Sequence, residues 1–244
     1  MKTTLTVLAL AAGLAAQTVD RTKAPVTPAI PEYKLPPANE SKLPNGMGVV
    51  LVEDARFPLV TARLTFQAGS KYDPKDMPGL SEAVATVLTE GTKTRTSRQI
   101  SEETDVIGGS LSASAGADGF TLAGNALSEN LTRLLALMSD VAMNASFPQD
   151  EVSLYQQNRI QNLLAERAEP GFLAQEKMSE VVYGSSPYAH IAPTEAAIKK
   201  LDPKVLAGFR DTHLIPNNAT LLLIGKLPPR ADLMKTITQQ FGSW

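Results

Sequence analysis

The sequence predicts an α+β domain, an antiparallel sheet with helices packed on one face. Three observations carry this. Strand patterns arrive in pairs, around Val49 to Phe66 and again in "GGSLSASAGADGFTLAGNAL". Helical periodicities follow from Ser128, interrupted by one further strand pattern, "NATLLLIGKL". No Gly-rich turn joins a strand to a following helix, since Gly108-Gly109 comes after a helix and before a strand, the wrong order for a phosphate loop.

The elements follow in order. "MKTTLTVLALAAGLAAQTVD" has Lys2, an apolar run from Leu5 to Ala12, and small residues at Gly13, Ala15 and Ala16. That is the pattern of a secretory signal peptide over residues 1–16, and its apolar part is too short to span a bilayer. Residues 17–42 hold Pro25, Pro28, Pro31, Pro36 and Pro37, and read as an extended leader or linker, with a strap packed along the domain surface as the alternative. The domain is placed at residues 43–244.

Asn45-Gly46 signals a turn before the β-branched run Val49 to Val52. In "PLVTARLTF", Val60, Ala62, Leu64 and Phe66 share one face, so a second strand pairs with the first through a turn near Ala55 to Pro58. Pro78-Gly79 opens a helix with Leu80, Ala83, Val84, Val87 and Leu88 inward, ended by Gly91. Ser97 caps the next helix, and Ile100, Thr104 and Ile107 face in. The following strands turn at Ala117-Asp118-Gly119. Ser128, Pro148, Pro170 and Asp202-Pro203 each start a helix. "NATLLLIGKL" reads as a buried strand, and a last helix follows Pro228-Pro229.

Composition narrows function. A net charge of −2 gives no pull toward nucleic acid. The absence of Cys removes disulfides, thiolate metal sites and a Cys nucleophile. No segment after the N-terminus has the length of apolar residues a membrane span needs. His190 and His213 stand far apart with no ligand at helical spacing, which is weak support for zinc. Arg159, Glu166, Arg167 and Glu169 read as a solvated face with near-neighbour ion pairs.

An ordered series of segments nevertheless resembles the insulinase, pitrilysin and mitochondrial-processing-peptidase family of inverted-motif zinc peptidases. The series is "LPNGMGVVLVED", "RFPLVTARLTFQAGSKYDP", "MPGLSEAVATVLTEGT", "SRQISEETDVIGGSLSAS", "FPQDEV", "YGSSPYAH" and "HLIPNNATLLLIGKL". The resemblance covers about Leu43 to Trp244 and implies the family's N-terminal domain. In active members the third segment carries H-x-x-E-H, two zinc-binding imidazoles one helical turn apart with a general base between them. The register puts Glu82 at the first His, Ala85 at the Glu and Thr86 at the second His. A third ligand, a Glu, is expected near Gln161, Asn162 and Leu163, and Glu166 lies about one turn late.

The resemblance therefore implies a degenerate site, with zinc expected for the family and predicted absent here. No catalytic residue is assigned, and the chain alone is expected to be inactive. Its place would be as a non-catalytic partner half of an exported, periplasmic or extracellular peptidase, in a heterodimer with a catalytic family member or a second-half domain. Peptide substrate would pair with the edge strand at Gly109 to Ala115, with Ser110, Ser112, Ala113 and Ser114 as candidate contacts. The sequence stops at "FGSW", where the first family domain would end, so a fragment or a chain working with another is expected. Two alternatives stand beside this: a scaffold or binding protein with no part in proteolysis, and an active metal-dependent peptidase with a displaced site using His190 and His213.

Overall fold

The computed structural model describes residues 36–244. Residues 1–16, and residues 17–35 of the predicted leader, lie outside the described residues. Six strands form one sheet: β1 (Ala38–Lys42), β2 (Gly48–Glu53), β3 (Leu59–Phe66), β4 (Ser110–Ala115), β5 (Phe120–Leu127) and β6 (Ala219–Gly225). Their order is β1-β2-β6-β3-β5-β4. The helices are α1 (Leu80–Val87), α2 (Ser97–Val106), α3 (Leu131–Asn144), α4 (Gln149–Ala168), α5 (Pro170–Tyr183), α6 (Glu195–Lys199), α7 (Pro203–His213) and α8 (Arg230–Phe241).

The α+β class with helices on one face holds, but the sheet is mixed. β2 and β3 do not pair with each other: β6 lies between them, parallel to β2 and antiparallel to β3. The turn at Ala55 to Pro58 spans that inserted strand. Local patterning could not show this, because the strand that intervenes comes from the far end of the chain. The predicted leader also yields a correction. Ala38–Lys42 pairs antiparallel with β2 as an edge strand, so the sheet begins ahead of residue 43. An edge strand needs no alternating apolar face to be held, and "ANESK" offered none to read.

The sheet buries one face. Val60, Ala62, Leu64 and Phe66 of β3, Phe120 and Leu122 of β5, and Leu221 and Leu223 of β6 are all at most 4% exposed. Against them pack Leu134, Leu135 and Met138 of α3, with Leu233, Ile237 and Phe241 of α8 in the same core. Burying a side chain of this size contributes on the order of 2 kcal/mol. Gly124 permits the contact with α3: a Cβ there would sit 2.8 Å from Leu134 Cδ1. β6 is not buried throughout. Thr220 and Ile224 face the open side of the sheet, which period-2 alternation within a mostly apolar strand conceals.

Three helix ends differ from expectation. α1 ends at Val87, ahead of Gly91. Gly91 instead opens a short bridge to Thr96, in a loop clamped onto α3. There Asp140 accepts from Thr92 Oγ1 at 2.7 Å, Thr94 Oγ1 at 3.1 Å, Arg95 Nη1 at 2.7 Å and Asn144 Nδ2 at 2.9 Å. The cap of α2 is Thr96, one residue before Ser97, in a full capping box with Gln99. Ser128 opens a short 3-10 turn ahead of α3 and makes no side-chain cap. The five-residue α6, capped by Thr194, is a further helix between α5 and α7.

Candidate functional site

α1 is held at its start by Asp73. The carboxylate accepts the Gly79 N–H at 2.8 Å and the Ser81 N–H at 2.9 Å. Burial pushes this carboxyl above its ordinary value, and those N–H donors pull it back. Gly79 adopts φ +89, and its place against Pro193 has no room for a Cβ. Leu80, Ala83, Val84, Ala85 and Val87 face the core, while Glu82 and Thr86 lie one turn apart on the outer face. The helix packs against α4, α7 and β4.

Two clefts meet at Glu82. The larger, about 560 Å³, lies between the start of α1, the end of β4 and the Ser185–Pro193 loop, which carries Tyr188 and His190. The smaller, about 380 Å³, runs between α1 and α4 and is lined by Glu82, Thr86, Glu90, Glu151, Tyr155, Asn158, Arg159 and Asn162, among others. Glu82 belongs to both walls.

Arg159 dominates the smaller cleft. Its residue exposure is 8%, so the solvated face expected for it is wrong. Its Nε lies 3.2 Å from Glu82 Oε1, off the line of a hydrogen bond, so that contact is coulombic. Its Nη1 donates to both Glu166 oxygens, at 3.2 and 3.1 Å. Burial pushes the Glu82 carboxyl above its ordinary value; the Arg159 guanidinium works against that shift and Glu166 adds to it. Burial raises the Tyr155 phenol too. The signal was present in the sequence. Val152, Tyr155, Arg159 and Leu163 form the buried stripe of α4, and Arg159 occupies an apolar position in it.

The positions the resemblance assigns to the zinc site supply little for a metal. Thr86 Oγ1 is spent on the Glu82 carbonyl at 3.0 Å. Ala85 is buried and has no polar side-chain atom. Of the three distal candidates, Asn162 lines the cleft, whereas Leu163 is core. Among the described residues, no group of three or more His, Cys, Asp or Glu is placed to hold a metal ion. His190 is exposed on its loop. His213 closes α7 between Phe209 and Tyr72, at ring distances of 4.6 and 5.4 Å, and burial lowers its pKa.

β4 is the edge of the sheet, as expected, beginning at Ser110. Ser110, Ser112 and Ser114 lie on the open face, with Asn125 Nδ2 donating to Ser110 Oγ at 2.8 Å. Leu111, Ala113 and Ala115 lie on the helix side. The Gly116 N–H bonds Gly119 at 2.8 Å and sets the alternation of the hairpin. By that alternation the main-chain groups of Ser110, Ser112 and Ser114 are used by β5. Those of Leu111, Ala113 and Ala115 point away from β5, to an edge that has no partner strand among the described residues. Of the four candidate contacts, Ala113 is the one that offers main-chain groups to an added strand.

A profile of the insulinase family, peptidase family M16, matches residues 48–190. The chain belongs to that family. Among its curated relatives is an uncharacterized zinc protease of Rickettsia bellii, 28% identical over 206 residues, 84% of this chain and 50% of that one. Another is the mitochondrial-processing peptidase subunit alpha of Solanum tuberosum, 25% identical over 189 residues, 75% of this chain and 36% of that one. Two solved structures share the fold. A peptidase M16 inactive domain from Pseudomonas fluorescens aligns with TM-score 0.79 and 23% identity over 85% of this chain and 50% of that one. The periplasmic protease PqqL from Escherichia coli aligns with TM-score 0.74 and 17% identity over 83% of this chain and 23% of that one. The chain spans about half the length of the first curated relatives it matches, at 50%, 46% and 49%.

Zinc, which membership in the M16 family implies, does not fit the outer face of α1. One carboxylate, already facing a guanidinium, is the sole anionic side chain among Glu82, Ala85 and Thr86. Among the described residues, no helix is long and apolar enough to cross a membrane.

Proposed function

We propose that this M16 domain is a non-catalytic peptide-binding half that works beside a catalytic family member or second-half domain in an exported peptidase. The observation that carries the proposal is Arg159. A buried guanidinium beside Glu82 puts a fixed positive charge on the helix face where the resemblance locates a metal, and Ala85 leaves no base there.

Peptide binding is supported by the free edge of β4, with small side chains on its helix side at Ala113 and Ala115. Partnership is supported by α5, which buries none of its own residues. Met178 is 63% exposed and Val181 73%, with Leu173, Val182 and Tyr183 also open. A run of apolar side chains of this kind is a feature of interaction surfaces. Export is supported by the signal pattern at residues 1–16 and by the fold shared with a periplasmic protease.

The test is co-expression with an M16 chain that has an intact H-x-x-E-H. The two should co-purify, and the catalytic chain's peptidase rate should rise. A complex that forms without any change in rate would favour a scaffold over a peptidase half.

A further inference from the structure

The cleft between α1 and α4 has a chemistry of its own. Asn158, Arg159 and Asn162 stand on one side, with Thr86 opposite. The Arg159 fork is fixed by its two carboxylates: Nε faces Glu82 and Nη1 binds Glu166. No hydrogen bond to a described residue engages Nη2. The two Asn amides likewise form no hydrogen bond with a described side chain, and each offers a donor and an acceptor.

The surrounding charge decides what can bind. Glu82, Glu90 and Glu151 line the same cleft, and Glu151 is held above its ordinary value by burial and by repulsion from Glu90 and Asp150. One guanidinium, already neutralised by two carboxylates, cannot draw an anion into such a site. A neutral carbonyl meets no such repulsion, and a preorganised guanidinium is a strong donor to it. Primary amides beside it suit a peptide unit, which carries one donor and one acceptor.

We propose that Arg159 anchors a main-chain carbonyl of an extended peptide lying between α1 and α4, with Asn158 and Asn162 bonding the neighbouring peptide units. This rests on the peptide-binding function proposed above and names the residues that would hold the peptide. The guanidinium grips the carbonyl without activating water, so the peptide is retained and not cut. Arg159 is then a binding residue, supported in place by Glu82 and Glu166.

The experiment is fluorescence anisotropy of the full chain with an unstructured, fluorescein-labelled peptide of Ala, Ser, Thr and Leu. Thermal unfolding of each variant is followed in parallel. Arg159→Met should weaken binding about tenfold, the size of one charge-assisted hydrogen bond. Arg159→Lys, which keeps a cation and so protects the fold, should also weaken it, because one ammonium cannot face both carboxylates and the peptide. Replacing peptide carbonyls one at a time by thiocarbonyls should reveal one position that hurts binding to the native chain and has no effect in Arg159→Lys. If both Arg159 variants bind as the native chain does while Ala113→Pro loses the peptide, the anchor is wrong and the peptide-binding function stands. If the native chain binds no such peptide, both fail together.

Discussion

Arg159 Nε and Glu82 Oε1 lie 3.2 Å apart, joining α4 to the outer face of α1. The pair places a cation supplied by the protein beside Glu82, the residue that the resemblance sets at the first position of the zinc motif. The chemistry of a metal site needs open coordination and several free donors. Here the remaining positions are a buried alanine and a threonine bonded to its own helix.

Removing the guanidinium should therefore cost stability. Arg159→Met leaves Glu82 and Glu166 facing each other without a cation. A fully buried broken pair costs about 3 kcal/mol or more, but both carboxylates are partly exposed, so about 2 kcal/mol is expected. Adding Glu82→Gln to that variant should recover part of the loss, since it removes one unpaired charge. Urea unfolding monitored by circular dichroism measures both, and a loss below about 0.5 kcal/mol would deny the pair a structural role.

Acid should act through Asp140. Burial raises the cost of its charge, yet hydrogen bonds from Thr92, Arg95, Asn144 and Thr94 hold its pKa below the ordinary 3.8. A lowered pKa in the folded state means that the unfolded chain binds the proton more readily. The contribution is therefore complete above 3.8 and is lost as pH falls through the folded value. Asp140→Asn should destabilise the domain at neutral pH by about 2 kcal/mol and flatten the acid limb of its stability curve. An unchanged acid limb would remove Asp140 as its source.

The free edge of β4 predicts a selective effect. Ala113→Pro deletes an outward N–H without touching the bonds to β5, a change that edge strands tolerate. Peptide affinity should fall severalfold while the thermal midpoint shifts by only a few degrees. Ser112→Ala, on the open face, should leave affinity unchanged. The reverse ranking, read by anisotropy, would move the peptide off this edge.

The apolar face of α5 predicts a defect in assembly. Val181→Glu lies at a 73% exposed position and should change monomer stability by less than about 0.5 kcal/mol. It should abolish co-purification with the catalytic chain, since burying an unpaired carboxylate in an interface is costly. Retention of the complex by this variant would place the partner elsewhere.

Much of the fold could be read in the sequence, because local patterning dictates it. The alternation of Val60 to Phe66, the helix starts at Pro148, Pro170 and Asp202-Pro203, and the hairpin at Ala117-Asp118-Gly119 all appear where their residues require them. What could not be read depends on distant partners. β6 inserts beside β2 from over a hundred residues away, and β1 joins the sheet through main-chain bonds that any sequence can make. The site divides the same way. Spacing alone puts Glu82 and Thr86 one turn apart on one face of α1, whereas the burial of Ala85 depends on how the helix packs. Arg159 departs from the expectation of a solvated charge because it takes an apolar position in the stripe Val152, Tyr155, Arg159, Leu163.

The most direct test is equilibrium dialysis of the purified chain against zinc, followed by metal analysis, on native protein and on Glu82→Gln. An internal guanidinium in place of a donor set predicts far less than one zinc per chain in both. One equivalent per native chain, lost in Glu82→Gln, would show that the outer face of α1 still holds a metal and would contradict the non-catalytic assignment.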